Sequence, residues 1–447
     1  MMNTQERWLK LLSPERLGAN TEHAVGHSPG VSLDRSRFQQ DYDRIVFTSA
    51  LRRLKDKTQV FPLAQSDYVR TRLTHSLEAS CVGRSLGSMV GRAIVDRHGL
   101  APEVHPSDFG AVVAAACLAH DIGNPPFGHA GEDAMRAWFA SHSANLAGLD
   151  PDQRADLLNY EGNAQGFRIL THLQNPTNPG GLQLTCAVLA TFAKYPRRSH
   201  LAEPLAGKSA RKFGYFQAEA GLFAEVAETV GLIPRAAGAW FRHPLTFLVE
   251  AADDTCYLVV DIEDGVQQGC VAPEQAEALL LDLAGGIEAA SRLKHLEDPK
   301  RRIEYLRARA IGRLVDEAAR IFLENEAAIL DGSFDHALFD VSPVGESLQA
   351  VRKVAEEQIY NARQVMEVMA AGYEVISGLL DGYVAGACGP QSARNRVWAN
   401  LLPADFERTA GDSNYLRLLQ VADMIAGMTD SHAVSAYRRL KGIELPG

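Results

Sequence analysis

Hydrophobic residues recur along most of the chain at intervals of three and four, the spacing of one face of an α-helix. Alternation of apolar and polar residues, which would indicate strands, is not sustained, and the sequence contains no convincing internal repeat. The pattern therefore predicts an all-α fold in which helices pack against one another.

Three helices are predicted in the first third of the chain. Asp41 is expected to cap the first, which runs to about Lys55. Its apolar side chains are Ile45, Phe47, Leu51 and Leu54. The second begins near Arg72, and Gly83 and Gly87 allow a neighbouring helix to approach closely. Its apolar side chains are Leu77, Cys81, Leu86 and Met89.

The third helix carries the longest apolar run of the chain. It opens at Ser107 and Asp108 and is apolar on nearly every side, as in a helix buried inside a bundle. It stops at residues 122–126, IGNPP, because two consecutive prolines cannot continue a helix. His120 and Asp121 directly precede this break, and a charge buried there must be paired or must coordinate a metal.

Helical patterning returns at residues 244–260 and continues as long amphipathic helices. One face consists of Ile303, Leu306, Ala310, Leu314, Ala318 and Ile321. Another consists of Leu348, Val351, Ala355, Ile359, Val365 and Met369. Such faces are typical of core packing and of subunit contacts.

Composition narrows the choice of function. The 447 residues are 46 % hydrophobic and 22 % charged, with a formal net charge of −10, as in ordinary folded proteins. An acidic chain is poorly suited to nonspecific coating of nucleic acid, although a local basic pocket could still hold a phosphate. The six cysteines form no Cys-x-x-Cys pair and are expected to be buried thiols of a reducing compartment. We expect no signal peptide, no membrane-spanning helix and a cytoplasmic location.

A mixed set of imidazoles and carboxylates is the strongest chemical feature of the sequence. His75 lies near the start of the second helix, His120 and Asp121 end the third, and Asp253 lies in a later helical segment. Two imidazoles and two carboxylates suit a borderline or hard divalent ion such as Mn²⁺, Mg²⁺ or Fe²⁺. Asp254 is the alternative ligand, although its position one residue further along the helix points it elsewhere.

Two further groupings accompany these ligands. Asp253, Tyr257 and Asp261 follow one another at intervals of four, so one helical face can reach both a metal and a second part of a ligand. His129 and Glu132 are three residues apart at the start of the helix after the double proline, and can face one cavity. A histidine titrates near neutral pH, and a carboxylate partner fixes its tautomer and orientation.

The order of His75, His120-Asp121 and Asp253 resembles the H…HD…D motif of the HD phosphohydrolase superfamily. Within that superfamily the chain resembles the deoxyguanosine triphosphate triphosphohydrolase family, in ordered segments from about residue 35 to 265 and again near the C-terminus. The segments are LKDKTQVFP at 54–62, RTRLTHSLE at 70–78, AHDIGNPPFGHAGE at 119–132, EGNAQ at 161–165, KYP at 194–196, KFGYF at 212–216, RHPLT at 242–246 and MTDS at 428–431. The compact chain is most similar to the shorter, type 2-like subfamily, whose base preference is less uniform.

The resemblance implies an HD-domain helical bundle with additional C-terminal helices. It divides the chain into an N-terminal arm at 1–34, an HD-type catalytic core at 35–290 and a helical region at 291–447 for packing and subunit contacts. It also implies a homo-oligomer assembled from dimers, commonly a hexamer in the family. A single-stranded DNA or nucleotide effector has no supporting pattern in this sequence.

The resemblance assigns roles to individual residues. Its metal ligands correspond to His75, His120, Asp121 and Asp253, and its catalytic pair corresponds to His129 and Glu132. Its phosphate-binding positions correspond to Arg72, Lys194, Tyr195 and Lys212. Gln59 matches a residue near the base. Tyr257 would press its ring on the deoxyribose where a 2′-hydroxyl would sit, and Asp261 would hold the 3′-hydroxyl.

The expected activity is metal-dependent hydrolysis of dGTP, or of dNTPs more broadly, to deoxynucleoside and inorganic triphosphate. A deoxynucleoside alkoxide is a poor leaving group, and His129 could serve as its acid or as the base for the nucleophile. Two other functions stay open. Another HD-type enzyme, acting on a nucleoside monophosphate, cyclic nucleotide or guanosine polyphosphate, would share the metal ligands but not the phosphate and sugar set. A nucleotide-sensing or nucleic-acid-binding protein with a dead site would lack a ligand or His129, and neither is missing.

Overall fold

A computed structural model describes residues 2–18, 35–61, 70–404, 406 and 411–444. These residues are mostly helical, which confirms the all-α prediction. Residues 19–34 of the expected N-terminal arm and Pro62 of the 54–62 segment lie outside the described residues. No helix in the described ranges is long and apolar enough to cross a membrane.

The α-helices of the described residues are, in chain order, Thr4–Leu11, Arg37–Val46, Ser49–Arg53, Arg72–His98, Pro106–Ala119, His129–Ser141, Pro151–Leu158, Gly162–Arg168, Cys186–Phe192, Ala220–Val230, Thr246–Gln267, Pro273–Leu283, Ile287–Leu293, Pro299–Glu324, Glu326–Asp331, Gly345–Val354, Arg363–Cys388, Ala393–Ala399, Asn414–Ala426 and Asp430–Leu440. The strands Pro234–Ala236 and Ala239–Trp240 form one small antiparallel hairpin.

Helix Pro106–Ala119 lies at the centre of the fold. Its side chains from Phe109 onward are buried on nearly all sides, as its composition predicts. It packs along helix Arg72–His98, and a Cβ at Gly87 would lie only 2.7 Å from the carbonyl oxygen of Phe109. The close approach therefore depends on glycine, as the sequence predicts.

The predicted bounds of the first helix are wrong, because the structure has two helices there. Ser36 caps Arg37–Val46, and Thr48 caps the separate helix Ser49–Arg53, each through a side-chain oxygen that accepts a backbone N–H. The chain leaves the helical path between them, and Phe47 at this break is 80 % exposed instead of contributing to the apolar face. Two good capping residues thus outweigh the continuous apolar pattern.

Three other side-chain predictions in this part of the chain are corrected. Asp41 lies inside a helix, and its buried carboxylate accepts hydrogen bonds from Arg16 and Thr185 instead of capping. Helix Arg72–His98 begins where predicted, but its exposed side carries Leu77, Cys81 and Met89. Leu86 alone of the four predicted apolar residues is buried, and small residues such as Gly83 and Gly87 share the core-facing side because a neighbouring helix packs closely there. The expectation of buried cysteines holds for Cys117, Cys186 and Cys256 but fails for Cys81, which is exposed, and for Cys270 and Cys388, which are partly buried.

The C-terminal helices form the predicted buried faces. In Pro299–Glu324 all six residues predicted for the first face are buried. The second face continues from helix Gly345–Val354 through a π-helical turn at Ala355–Tyr360, which carries Ala355 and Ile359, into helix Arg363–Cys388. Five of its six residues are buried, and Met369 is partly buried. Arg363–Cys388 and Asn414–Ala426 also build a second hydrophobic core with helix His129–Ser141.

A buried ion network joins this C-terminal part to the rest of the molecule. The guanidinium of Arg168 donates to both carboxylate oxygens of Asp423 at 2.9–3.0 Å and also pairs with Glu219. Gln165 adds a 2.8 Å bond to Asp423. Burial raises the pKa of Glu219 from 4.5 to about 7, although the charge of Arg168 opposes this rise.

We expect Glu219→Gln to change the pH dependence of stability. Between pH 4.5 and 7 the folded wild type holds a proton on Glu219 that the unfolded chain releases, so its free energy of unfolding falls as pH rises. Relative to wild type, the variant should therefore gain about 2–3 kcal/mol between pH 4.5 and 7, at about 1.4 kcal/mol for each pKa unit. Urea unfolding at both pH values measures this, with the exposed Glu228→Gln as control. A constant difference between variant and wild type across this range would contradict the prediction.

Candidate active site

A cavity of about 350 Å³ opens at the end of helix Pro106–Ala119, a volume typical of small-molecule sites. Its lining consists of Gln59, Arg72, His120, Asp121, Asn124, His129, Glu161, Asn163, Phe192, Lys194, Tyr195, Lys212, Val249, Glu250, Asp253, Asp254 and Tyr257. Ten of the thirteen residues predicted from the sequence line it. His75, Glu132 and Asp261 are absent from this lining, and each is buried.

Two histidines and two aspartates converge on one side of the cavity. His75, His120 and Asp121 each offer a donor atom within 4.8 Å of the others. Asp253 Oδ1 lies 3.0 Å from His75 Nε2 and 3.5 Å from His120 Nε2. His120 Nδ1 lies 2.6 Å from the carbonyl oxygen of Cys117, which can only accept, so Nδ1 is the donor and Nε2 is the ring nitrogen that would face a metal.

The carboxylates of this group are held in their ionised form. Asp121 accepts a 2.8 Å bond from Arg72 Nη1 and a 2.5 Å bond from Asn124 Nδ2. Burial opposes ionisation of Asp121, but Arg72 outweighs it and lowers the pKa to about 2. For Asp253, burial is likewise outweighed by His120 and His75, and the pKa lies well below its usual range. Two carboxylates and two imidazole nitrogens fit a hard or borderline divalent cation.

The cavity has more acidic than basic side chains. Three cationic residues, Arg72, Lys194 and Lys212, face five carboxylates from Asp121, Glu161, Glu250, Asp253 and Asp254. A bound divalent cation would offset this excess, and a polyanionic ligand would need such an offset before it could enter. The electrostatics of the lining therefore also fit a metal.

Asp254 also lines the cavity, so the expectation that it points elsewhere is wrong. Burial raises its pKa to about 6, partly offset by Lys194. No contact of Asp254 with the two histidines is found, whereas Asp253 contacts both. The ammonium of Lys194 lies 3.4 Å from Oε1 of Glu250, and Glu250 is one helical turn before Asp254. Asp253 is therefore better placed than Asp254 to complete a four-donor group with the two histidines and Asp121.

His129 and Glu132 form a hydrogen-bonded pair at the start of helix His129–Ser141. His129 Nδ1 lies 2.7 Å from Glu132 Oε2, and the imidazole is 74 % exposed while Glu132 is almost fully buried. Glu132 Oε1 accepts a 2.7 Å bond from the Gly162 N–H. Burial opposes ionisation of Glu132, but His129 and Lys212 lower its pKa, so it remains an acceptor. His129 Nδ1 is thus the donor to Glu132, and Nε2 is the atom available to a ligand.

The turn before this helix lies directly against Arg72. Gly128 has a φ of 56°, and a Cβ there would lie 2.4 Å from Arg72 Nη2. Only glycine satisfies both the left-handed backbone and the close approach. The spacing between Arg72 and His129 therefore depends on this residue.

The two lysines of the lining are each paired with a buried carboxylate. Lys212 Nζ bonds Glu161 Oε1 at 3.0 Å and lies 4.0 Å from Glu132 Oε2. For both Lys194 and Lys212, burial opposes the charge but carboxylates outweigh it and raise the pKa, so both are cationic at neutral pH. Their side chains are about 30 % exposed and accessible to a ligand.

Tyr257 and Asp261 form a small cluster with Tyr360, a residue to which the sequence pattern gave no role. The rings of Tyr257 and Tyr360 stack with centroids 5.6 Å apart, and Tyr360 Oη donates a 2.7 Å bond to Asp261 Oδ2. Burial raises the pKa of Asp261 to about 7, partly offset by this bond. Asp261 is 2 % exposed and does not line the cavity.

Several residues of the site were missed. Glu161 and Asn163 lie in the segment EGNAQ, which carries the resemblance but received no role, and Glu250 is one helical turn before Asp254. The i, i+4 spacing could have revealed Glu250. Tyr360 comes from the distant C-terminal half, and no local pattern marks it.

The chain matches two family models. The model described as HD domain matches residues 72–150, and the model described as phosphohydrolase-associated domain matches residues 341–439.

Curated relatives are similar over nearly the whole chain. A deoxyguanosinetriphosphate triphosphohydrolase-like protein of Synechocystis sp. is 47 % identical, covering 98 % of this chain and 100 % of the relative. One of the same name from Pseudomonas aeruginosa is 40 % identical over 98 % of this chain and 99 % of its own length. A deoxyguanosinetriphosphate triphosphohydrolase of Klebsiella pneumoniae is 33 % identical, covering 91 % of this chain and 94 % of the relative.

We expect Asp253→Ala to remove most of the metal binding. The substitution deletes the carboxylate that contacts both histidines, and the loss of affinity should exceed the roughly 10- to 100-fold effect of losing an outer partner. Asp254→Ala is the matched control, because Asp254 lines the same cavity without that contact. Titration with Mn²⁺ followed by calorimetry measures the affinity, and circular dichroism checks the fold. Equal metal affinity in Asp253→Ala and wild type would refute the assignment.

Proposed function

Because the chain belongs to the deoxyguanosinetriphosphate triphosphohydrolase-like family of HD-domain phosphohydrolases, we propose that it hydrolyses deoxynucleoside triphosphates, with dGTP favoured, to deoxynucleoside and inorganic triphosphate. The observation that carries the proposal is the convergence on one cavity of a four-donor group, the His129–Glu132 pair and two accessible lysines. These are the parts that phosphoryl chemistry on a polyanion needs.

The cation held by His75, His120, Asp121 and Asp253 would be Mn²⁺, Mg²⁺ or Fe²⁺, and would supply Lewis-acid polarisation of a phosphoryl oxygen. Arg72 contributes mainly by holding Asp121, to which it is bonded at 2.8 Å in a buried position. Its role differs from that of the two lysines, which are more exposed to a ligand.

Lys194 and Lys212 bind the phosphate chain in this proposal. Each is paired with a carboxylate, Glu250 or Glu161, that a more highly charged triphosphate can replace as partner. Tyr195 lines the same part of the cavity and adds a hydroxyl donor. The three phosphates are thereby held together, and they are released as intact triphosphate.

His129 moves the proton in this proposal. Glu132 fixes the imidazole through Nδ1, and Nε2 either takes a proton from the attacking water or gives one to the 5′-oxygen. A deoxynucleoside alkoxide leaves poorly, so such a group is chemically required. The buried carboxylate of Glu132 fixes the orientation of the imidazole.

Tyr257 and Gln59 bind the nucleoside in this proposal. Tyr257 cannot move aside easily, because its ring stacks on Tyr360, which Asp261 holds by a hydrogen bond. The ring therefore excludes a 2′-hydroxyl by its position. Asp261 reaches the 3′-hydroxyl only by exchanging its bond to Tyr360, because it lies buried behind the cavity lining.

We extend the proposal to the organisation of the protein. The catalytic core comprises residues 35–290, and residues 291–447 pack on it and form subunit contacts in a homo-oligomer built from dimers. Two different family models match residues 72–150 and residues 341–439, and this supports a division into a catalytic core and a C-terminal part. The assembly rests on the family resemblance described above, and the cytoplasmic location rests on the expectation that the cysteines are thiols of a reducing compartment.

The position of bond cleavage separates this function from other nucleotidases. In ¹⁸O-labelled water, dGTP should yield intact triphosphate that carries the label and an unlabelled deoxynucleoside. His129→Ala should slow turnover by roughly 10²- to 10⁴-fold, the usual contribution of a positioned acid or base. His142→Ala, at the other end of the same helix, should retain wild-type turnover. Release of dNMP as the first product, or full activity of His129→Ala, would refute the mechanism.

Discrimination between sugars tests the role of Tyr257. The wild type should prefer dGTP over GTP by about 100-fold or more in kcat/KM, and Tyr257→Ala should reduce this ratio because space opens for the 2′-hydroxyl. Tyr373→Ala is the control, since Tyr373 does not line the cavity. Steady-state kinetics with both nucleotides give the ratios. Similar kcat/KM for GTP and dGTP in the wild type would contradict this part of the proposal.

A further inference from the structure

A carboxylate from the C-terminal part of the chain lies between two segments of the candidate active site. Asp430 is 1 % exposed and belongs to the segment MTDS at 428–431, which the proposed function leaves unused. Its Oδ2 accepts a 2.9 Å bond from the Thr58 N–H and a 2.5 Å bond from the Thr58 hydroxyl. Its Oδ1 accepts a 2.9 Å bond from the N–H of Phe127.

Both segments lead directly to residues of the cavity. Thr58 precedes Gln59 and forms an isolated antiparallel bridge with Thr71, the residue that caps helix Arg72–His98. Phe127 is two residues before His129, in the turn that follows the double proline. One carboxylate therefore binds both the segment that leads to Gln59 and the turn that leads to His129.

The turn at Phe127 is strained and needs an external restraint. Phe127 has a φ of 63°, a left-handed conformation that disfavours residues with a Cβ. The next residue, Gly128, also has a positive φ and lies against the guanidinium of Arg72. A strained conformation persists only when the surrounding structure fixes it, and the bond from Phe127 to Asp430 provides such a contact.

A second link joins the same elements. Lys57 is 3 % exposed, and its ammonium donates to the carbonyl oxygens of Asn124 at 2.5 Å and Ala426 at 2.7 Å. Asn124 lies in the cavity lining, and Ala426 ends the helix that precedes the segment of Asp430. The C-terminal turn is thus attached to the loop after His120 at more than one point.

We propose that Asp430 is a positioning residue, through which the C-terminal helices fix the His129 turn and the Gln59 segment relative to each other. The roles of His129 and Gln59 rest on the proposed function, whereas the hydrogen bonds themselves do not. The C-terminal region then completes the active site without contributing a side chain to the reaction. Its contribution is to hold the geometry of the His129 turn.

Asp430→Asn tests this inference with almost no change in shape. The amide has one oxygen, so its NH₂ group must face either Phe127 N–H or the Thr58 donors, and one side of the contact is lost. We expect kcat for dGTP to fall roughly 10- to 100-fold, the effect of a small misplacement of a catalytic group, while KM changes less. Hydrogen exchange followed by mass spectrometry should show faster exchange in a peptide that contains Phe127, and Mn²⁺ affinity should be retained.

Two matched variants separate positioning from simple destabilisation. Ser431→Ala removes a 3.0 Å bond from the next residue to Asp56, and should match wild type in kcat and in exchange at Phe127. Asp423→Asn weakens the buried contact with Arg168, and should lower Tm while kcat per folded molecule and exchange at Phe127 stay near wild type. Unchanged kcat and unchanged exchange in Asp430→Asn would overturn the inference. The inference would also be overturned if kcat and exchange at Phe127 changed in both Asp430→Asn and Asp423→Asn in proportion to the fall in Tm.

Thr58→Val provides the test if Asp430→Asn does not fold. This variant removes only the bond from the Thr58 hydroxyl to Asp430. It should raise KM several-fold with kcat retained, because it loosens the segment of Gln59 and leaves the Phe127 turn in place. An unchanged KM would overturn the inference for that side. If the wild type releases no triphosphate, the proposed function fails, but the exchange experiment still decides whether Asp430 restrains the Phe127 turn.

Discussion

The structure depends on one constraint: charged groups lie at the end of its most apolar helix. Helix Pro106–Ala119 is buried on nearly all sides, and it delivers His120 and Asp121 to a point from which most water is excluded. Burial of an unpaired carboxylate would be very costly. Arg72 and Asn124 therefore bind Asp121, and the start of helix Arg72–His98 is fixed against the end of its neighbour. The close glycine contacts between these two helices make that geometry accessible.

The same constraint extends through the cavity. Each cationic side chain of the lining is paired with a carboxylate: Arg72 with Asp121, Lys194 with Glu250, and Lys212 with Glu161. These pairs keep the cations charged and in place, but they also leave the lining with an acidic excess. A nucleotide triphosphate and a divalent cation would together change the partners of these charges. The pairing is therefore consistent with a site that is ordered before its ligand arrives.

The C-terminal helices are part of this arrangement and not merely an appended layer. They share a hydrophobic core with helix His129–Ser141, and Asp423 neutralises the buried guanidinium of Arg168. Tyr360 supports Tyr257 and Asp261 from the same half of the chain. A substitution far along the sequence can therefore act on the cavity through packing and hydrogen bonds.

The sequence by itself determined the helical class, the apolar faces of the long C-terminal helices and most of the residues that line the cavity. The helical class and the apolar faces follow from local periodicity, and the spacing of His129 and Glu132 is set by the helix itself. The cavity residues Gln59, Arg72, Lys194, Tyr195 and Lys212 followed from the family resemblance of short ordered segments. The tertiary structure alone decided the partners of the charges. Asp41 binds Arg16 and Thr185 instead of capping a helix, Asp254 turns toward the cavity, and Tyr360 reaches Asp261 across 99 positions. Local pattern cannot predict such contacts, because whether a buried polar group is satisfied depends on which distant segment packs against it.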